Sequence, residues 1–124
     1  MSKIVQAVNA MLSNPKLITD VMANDHEYFF LYKSKYKWSI KGVDDSSISL
    51  WFYPGSESLQ EIMSMSTGMH WESISMVHYS DKDIGTKEAR SSFIELYNLV
   101  KEKLYGVDDV LDDIISDLND DLPF

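Results

Sequence analysis

Residues 27–55 read EYFFLYKSKYKWSIKGVDDSSISLWFYPG, a succession of apolar and alternating segments that is typical of consecutive β-strands. Its first part, from Tyr28 to Tyr32, is aromatic or aliphatic at every position, which is typical of a strand buried on both faces. The chain then alternates, so that Tyr36, Trp38 and Ile40 share one face of a second strand. We therefore expect an antiparallel sheet with this stretch at its centre.

The alternation gathers polar side chains on the opposite face of the second strand, namely Lys35, Lys37, Ser39 and Lys41. After a loop at residues 42–45, a third strand is predicted in which Ile48, Leu50 and Phe52 oppose Ser49, Trp51 and Tyr53. Pro54 and Gly55 suit a type II turn that ends this strand. One sheet face is expected to be core, and the other wet or functional.

Before the sheet, apolar residues at helical spacing predict one helix near the N-terminus. Asn14 and Pro15 then predict the start of a second short helix, or a kink in a single one, whose apolar side chains would be Leu17, Ile18, Val21 and Met22. After the third strand, the sequence from Ser58 to Glu61 matches a capping box and predicts a short helix that closes at Thr67-Gly68. A fourth strand is expected near residues 73–80.

Two helices are predicted at the C-terminal end. Thr86 can cap a long helix whose apolar positions form one stripe, and Gly106 interrupts it. A last helix from Val107 to Leu118 would carry aliphatic residues on one face and almost only Asp on the other. These elements predict a single α+β domain over residues 1–124, with an antiparallel meander of about four strands, N-terminal helices and two C-terminal helices. We expect residues 119–124 to be frayed.

The net charge of −9 is concentrated at the C-terminus. Residues 104–124 carry seven Asp and no base, whereas residues 1–103 carry 11 Lys and Arg against 13 Asp and Glu. The body of the protein is therefore nearly neutral. There is no cysteine, which excludes disulfides and thiolate sites, and no apolar run is long enough to span a membrane. We expect a cytoplasmic protein without a cofactor.

The sequence suggests two candidate binding surfaces. One is a basic sheet face with neighbouring aromatic residues, formed by Lys35, Lys37, Lys41, Trp51 and Tyr53. Cations between exposed rings are used by proteins that bind single-stranded nucleic acid, but the acidic net charge makes that partner unfavoured here. The other is the acidic terminal helix, with Asp108, Asp109, Asp112 and Asp113. Its apolar stripe either packs into the domain's own core or docks on the lysine-rich face, on a second copy or on another protein.

Two further functions stay open. A small-ligand site would use an aromatic pocket lined by Tyr28, Tyr32, Trp38, Trp51 and Trp71. An enzyme would need His78 with Asp81, or His70 with Glu72, to converge in a cleft. The three histidines, His26, His70 and His78, have no metal-binding spacing, and no catalytic or phosphate-binding motif occurs, so we expect no metal.

The favoured expectation is a non-enzymatic protein-interaction module that binds another protein or itself and has no contact with membranes. The order of helices and meander broadly resembles that of small acidic secretion chaperones and of toxin-immunity or inhibitor proteins. This resemblance concerns the fold alone and carries no shared motif.

Overall fold

The computed structural model describes residues 2–24, 27–44, 47–65 and 73–120. Its strands are β1 (Ile18–Asn24), β2 (Glu27–Tyr32), β3 (Tyr36–Asp44), β4 (Ser47–Tyr53) and β5 (Val77–Ser80). Its helices are α1 (Lys3–Ser13), α2 (Leu59–Met65), α3 (Asp81–Ile84), α4 (Lys87–Tyr105) and α5 (Val107–Asp120), with a 3-10 turn at Pro15–Leu17. The predicted helix end at Thr67-Gly68 and residues 121–124 lie outside the described residues.

The five strands form one antiparallel sheet in the order β1-β2-β3-β4-β5, so each strand pairs with its neighbours in sequence. The register places Phe30 opposite Trp38, and Trp38 opposite Phe52. Apolar side chains therefore lie side by side across three strands, where cross-strand pairs stabilise a sheet. The predicted α+β meander is confirmed.

The predicted second helix is wrong, because only a single 3-10 turn follows Pro15 and residues 18–24 form β1. β1 pairs with β2, with Ile18 opposite Tyr32, and a bulge between Thr19 and Met22 shifts the register. Asp20 within the bulge has a left-handed backbone with φ of 54°. The bulge gives the apolar residues an uneven spacing that imitates a helix, while the β-branched residues favour a strand.

Both faces of the sheet are covered. α1 and α4 pack on the face that carries Tyr28, Phe30, Ile40 and Leu50, which forms the larger core with Phe93. The opposite face holds a second core in which Phe29 and Tyr53 pack against Leu59 and Ile62 of α2 and against Ile74. The expectation that this second face is wet is therefore wrong for its central part.

Side-chain caps begin the helices where the sequence predicts them. Ser58 Oγ accepts a hydrogen bond from the backbone N–H of Glu61 at 3.1 Å, and Thr86 Oγ1 accepts one from Ala89 at 3.1 Å. Each cap satisfies one of the backbone donors that a helix N-terminus leaves unpaired. The fourth predicted strand is shorter than expected, since β5 begins at Val77. Where the chain is described, no helix combines the length and apolar character needed to cross a membrane.

Gly106 separates α4 from α5 in a left-handed conformation with φ of 63°. Its N–H donates to the carbonyl oxygens of Glu102 and Lys103, and its own carbonyl accepts from Val110 at 3.3 Å. The end of α4 and the start of α5 are thus joined by a defined turn.

We predict that Gly106→Ala lowers the free energy of unfolding by about 1 kcal/mol, because a Cβ opposes the left-handed backbone. An added Cβ meets no atom within 4 Å at this position, so crowding does not contribute. Urea denaturation of the two proteins measures the difference. An unchanged midpoint would show that the turn is not held in this conformation.

Candidate functional site

α5 carries five of the ten large apolar side chains that are exposed in the described residues. Large aliphatic side chains recur along one side of this helix and are 49% to 70% exposed, and we call them the apolar stripe: Val110, Leu111, Ile114, Ile115 and Leu118. Within the chain, α5 contacts chiefly α4. The expectations that the stripe joins the domain's own core, or lies on the chain's own lysine-bearing face, are therefore not met.

The polar residues of α5 are almost all Asp, and the helix contains no base. Asp108 and Asp109 in the first turn suit the positive end of the helix dipole. Further along, Asp112 and Asp113 stand one turn after them, at the spacing where like charges repel. A 14-residue helix is only marginally stable in water without tertiary packing. The stripe of α5 is not packed and its Asp residues repel each other, so both effects lower the stability of this helix. This combination is typical of a helix that packs on a partner.

The basic and aromatic residues predicted on the sheet do not form one open surface. Lys37 Nζ donates to the carbonyl oxygens of Gly55 and Glu57, so its charge is held against the loop after β4. Lys35 lies in the β2–β3 turn, with Nζ 4.8 Å from the ring centroid of Tyr36. Lys41 alone keeps the expected place, on β3 opposite Ser49.

The two aromatic members of that predicted surface are also engaged. Tyr53 is buried in the second core. The ring of Trp51 stacks on His78 with centroids 4.8 Å apart, and His78 Nε2 is 2.9 Å from Ser49 Oγ. A platform for stacked bases needs exposed rings, so the interior position of Tyr53 is a correction to the sequence expectation.

Tyr53 belongs to a polar network inside the second core. Ser39 Oγ lies 2.6 Å from Glu27 Oε2 and 2.7 Å from Tyr53 Oη. Burial raises the pKa of Tyr53; the hydrogen bond with Ser39 lowers it in part, and the nearby Glu27 carboxylate raises it. The phenol therefore stays neutral in the folded protein at pH values where a free tyrosine ionises.

We predict that Tyr53→Phe lowers the free energy of unfolding by about 1 kcal/mol at neutral pH, because it removes a buried hydroxyl from its hydrogen bonds. Since the folded pKa is raised, the neutral phenol stabilises the fold below about pH 10, and this contribution is lost as pH rises further. Wild type should thus lose stability above pH 10 more steeply than the variant. Denaturation across this range, with exposed Tyr36→Phe as the control, tests both statements; equal slopes would contradict them.

His78 and Asp81, considered as an acid–base pair, are committed to different partners. Asp81 is buried at the start of α3 and accepts a hydrogen bond from the backbone N–H of Ile48 at 2.8 Å. Its other carboxylate oxygen lies 3.7 Å from Arg90. This side chain joins α3 and α4 to the start of β4. His70 and Glu72, the other proposed pair, lie outside the described residues.

We predict that Asp81→Ala lowers the free energy of unfolding by about 1 to 3 kcal/mol, because the buried N–H of Ile48 loses its acceptor. Asp83→Ala, at an exposed position on the same helix, is the control and should cost about 0.5 kcal/mol or less. Denaturant unfolding measures both. Equal effects of the two substitutions would show that Asp81 does not anchor the start of β4.

The predicted aromatic pocket is divided between different parts of the molecule. Trp71 lies outside the described residues, Tyr28 is in the larger core and Trp51 is on the opposite sheet face. Tyr32 and Trp38 do line an open apolar cavity of about 320 Å³ between α1 and the sheet. We call this cavity the α1 groove, and its lining is Ala7, Ala10, Met11, Tyr32, Tyr36, Trp38 and Phe52.

Sequence reasoning places Tyr32 and Trp38 in a pocket but misses the other residues that line the α1 groove. Alternation already places Tyr36 and Trp38 on one face of β3, and the register adds Phe52 of β4. Helical spacing likewise puts Ala7 and Ala10 one turn apart on α1. What the sequence does not reveal is that these two small side chains leave the neighbouring rings uncovered.

None of the residues in the described ranges forms a group of three His, Asp or Glu that could hold a metal ion. His26 and His70 lie outside those ranges. Comparison with protein-family models, with curated proteins and with solved structures gives no significant match to the chain.

Proposed function

We propose that this chain is a protein-interaction module that engages its partner through α5. The observation that carries the proposal is the apolar stripe, whose five large aliphatic side chains are about half exposed or more on one helix. Apolar patches of this kind, bordered by charged residues, mark sites of protein interaction. The rest of the fold supplies a rigid base for this helix through the turn at Gly106.

Burial of the stripe would dominate the binding energy. A large aliphatic side chain that becomes fully buried contributes about 1.5 to 3 kcal/mol, whereas an exposed ion pair contributes about 0 to 1 kcal/mol. The Asp residues beside the stripe therefore act mainly on the choice and orientation of the partner, and on the rate of encounter.

The partner's surface follows from these two properties. An amphipathic helix binds by laying its apolar face in a groove, where residues one turn apart serve as anchors. A partner for α5 thus needs an apolar groove that receives the stripe, which runs over residues 110–118 or about 12 Å of the helix. The rim of that groove should be basic, because α5 contains Asp and no base.

The test compares wild type with the double variant Ile114→Ser/Leu118→Ser. Both positions are exposed, so the variant should fold normally by circular dichroism. Loss of two anchors should weaken association about 100-fold or more, at tenfold for each 1.4 kcal/mol. Association is measured by sedimentation of the purified chain and by chemical cross-linking in cells of the native host.

Val43→Ser is the matched control, since Val43 is 55% exposed but lies on β3 and not on α5. It should leave association unchanged. If wild type and the double variant form the same complexes at the same concentrations, α5 is not the interaction site and the proposal fails.

A further inference from the structure

We propose that the partner of α5 is a second copy of this chain, with α5 of each copy lying in the α1 groove of the other. This inference rests on the proposed function and adds the identity of the receiving surface. Such an arrangement is a two-fold symmetric dimer in which both copies contribute the same two surfaces.

The groove and the stripe are complementary in chemistry. The lining of the groove is aromatic and aliphatic, and Tyr36 at its edge is 42% exposed. Ala7 and Ala10 have small side chains, so α1 leaves room for another helix to approach the rings of Trp38 and Phe52 closely. Branched aliphatic side chains such as Ile114 pack well against aromatic rings of this kind.

The charge pattern gives the second line of support. The elements that line the groove, together with the 3-10 turn and the β2–β3 turn, contain six Lys and two acids, Glu27 and Asp44. Lys37, Lys41 and Glu27 belong to the other sheet face, and Asp44 is the last residue of β3. The remaining four Lys lie on α1 or in the two turns beside the groove: Lys3, Lys16, Lys33 and Lys35. α5 is the inverse, with six Asp and no base.

The β2–β3 turn fixes two of these lysines at one end of the groove. Lys33 and Ser34 have left-handed backbones with φ of 57° and 59°, and Lys35 N–H donates to the carbonyl of Tyr32 at 3.3 Å. Lys33 N–H in turn donates to the carbonyl of Leu17 at 3.0 Å. The turn is thus tied both to itself and to the segment after α1, next to the exposed ring of Tyr36.

Two other arrangements fit the structure less well. Two α5 helices that packed stripe to stripe would bring together two segments that each carry six Asp and no base, so their net charges repel. A helix that folded back into its own groove would have to rebuild the turn at Gly106, whose hydrogen bonds set the direction of α5. A second copy needs neither change, and its two equivalent contacts double the buried surface.

The experiment combines a helix variant with a groove variant in sedimentation equilibrium. The helix variant is Ile114→Ser/Leu118→Ser, and the groove variant is Ala10→Glu, which places a bulky acid at an exposed helical position that tolerates it. Wild type should have the mass of a dimer. Each variant alone should be at least tenfold weaker in self-association, while Val43→Ser and the remote Lys87→Glu should match wild type.

The decisive measurement is the mixture of the two variants. The intact groove of the helix variant can receive the intact α5 of the groove variant, so the mixture keeps one undamaged contact out of two. It should form a one-to-one heterodimer that is weaker than the wild-type dimer and that neither variant forms alone. A mixture that associates no more strongly than the two separate variants would overturn the proposal. A wild-type monomer at the highest soluble concentration would also overturn it; if cross-linking to a different protein is then lost in the helix variant, the proposed function stands and only the dimer fails.

Discussion

Phe29 and Phe30 are neighbours in sequence and project to opposite sides of β2, and both are fully buried. A central strand of this kind forces cover on both faces of the sheet, because either aromatic side chain would otherwise be left in water. α1 and α4 cover one face and α2 covers part of the other. The order of helices around the meander follows from this demand.

Once those helices are placed, the chain still has a helix left over. The larger core is closed by Phe93, Leu96 and Val100 of α4, so α5 begins after the last core residue of the domain. It carries as many large aliphatic side chains as a core helix without a core to enter. The α1 groove is the opposite case, since its aromatic rings lie beside small side chains of α1, which cover them only in part. Within one molecule, the apolar stripe of α5 and the α1 groove are therefore both left exposed.

The sequence predicts the central strands, the caps at Ser58 and Thr86 and both C-terminal helices, because each depends on local periodicity or local hydrogen bonds. It fails at β1, where the bulge at Asp20 disrupts the period of two on which recognition of a strand depends. Sequence reasoning also fails to predict which apolar side chains are exposed. A stripe such as Ile114 and Leu118 has the same spacing whether it is buried or not, so its surroundings decide, and these depend on the three-dimensional arrangement of all other elements. The contribution of α1 to the groove was missed for the same reason.

The Asp residues of α5 also affect how the chain behaves before it binds a partner. Exposed aliphatic stripes promote indiscriminate aggregation, and charged residues beside them act as gatekeepers. Two free chains that approach each other through α5 carry the same negative charge there, and this repulsion slows their aggregation, while a lysine-bearing surface still attracts the helix over about a Debye length. The Asp residues of α5 therefore hinder the aggregation of a newly made chain and still allow the helix to approach a basic surface.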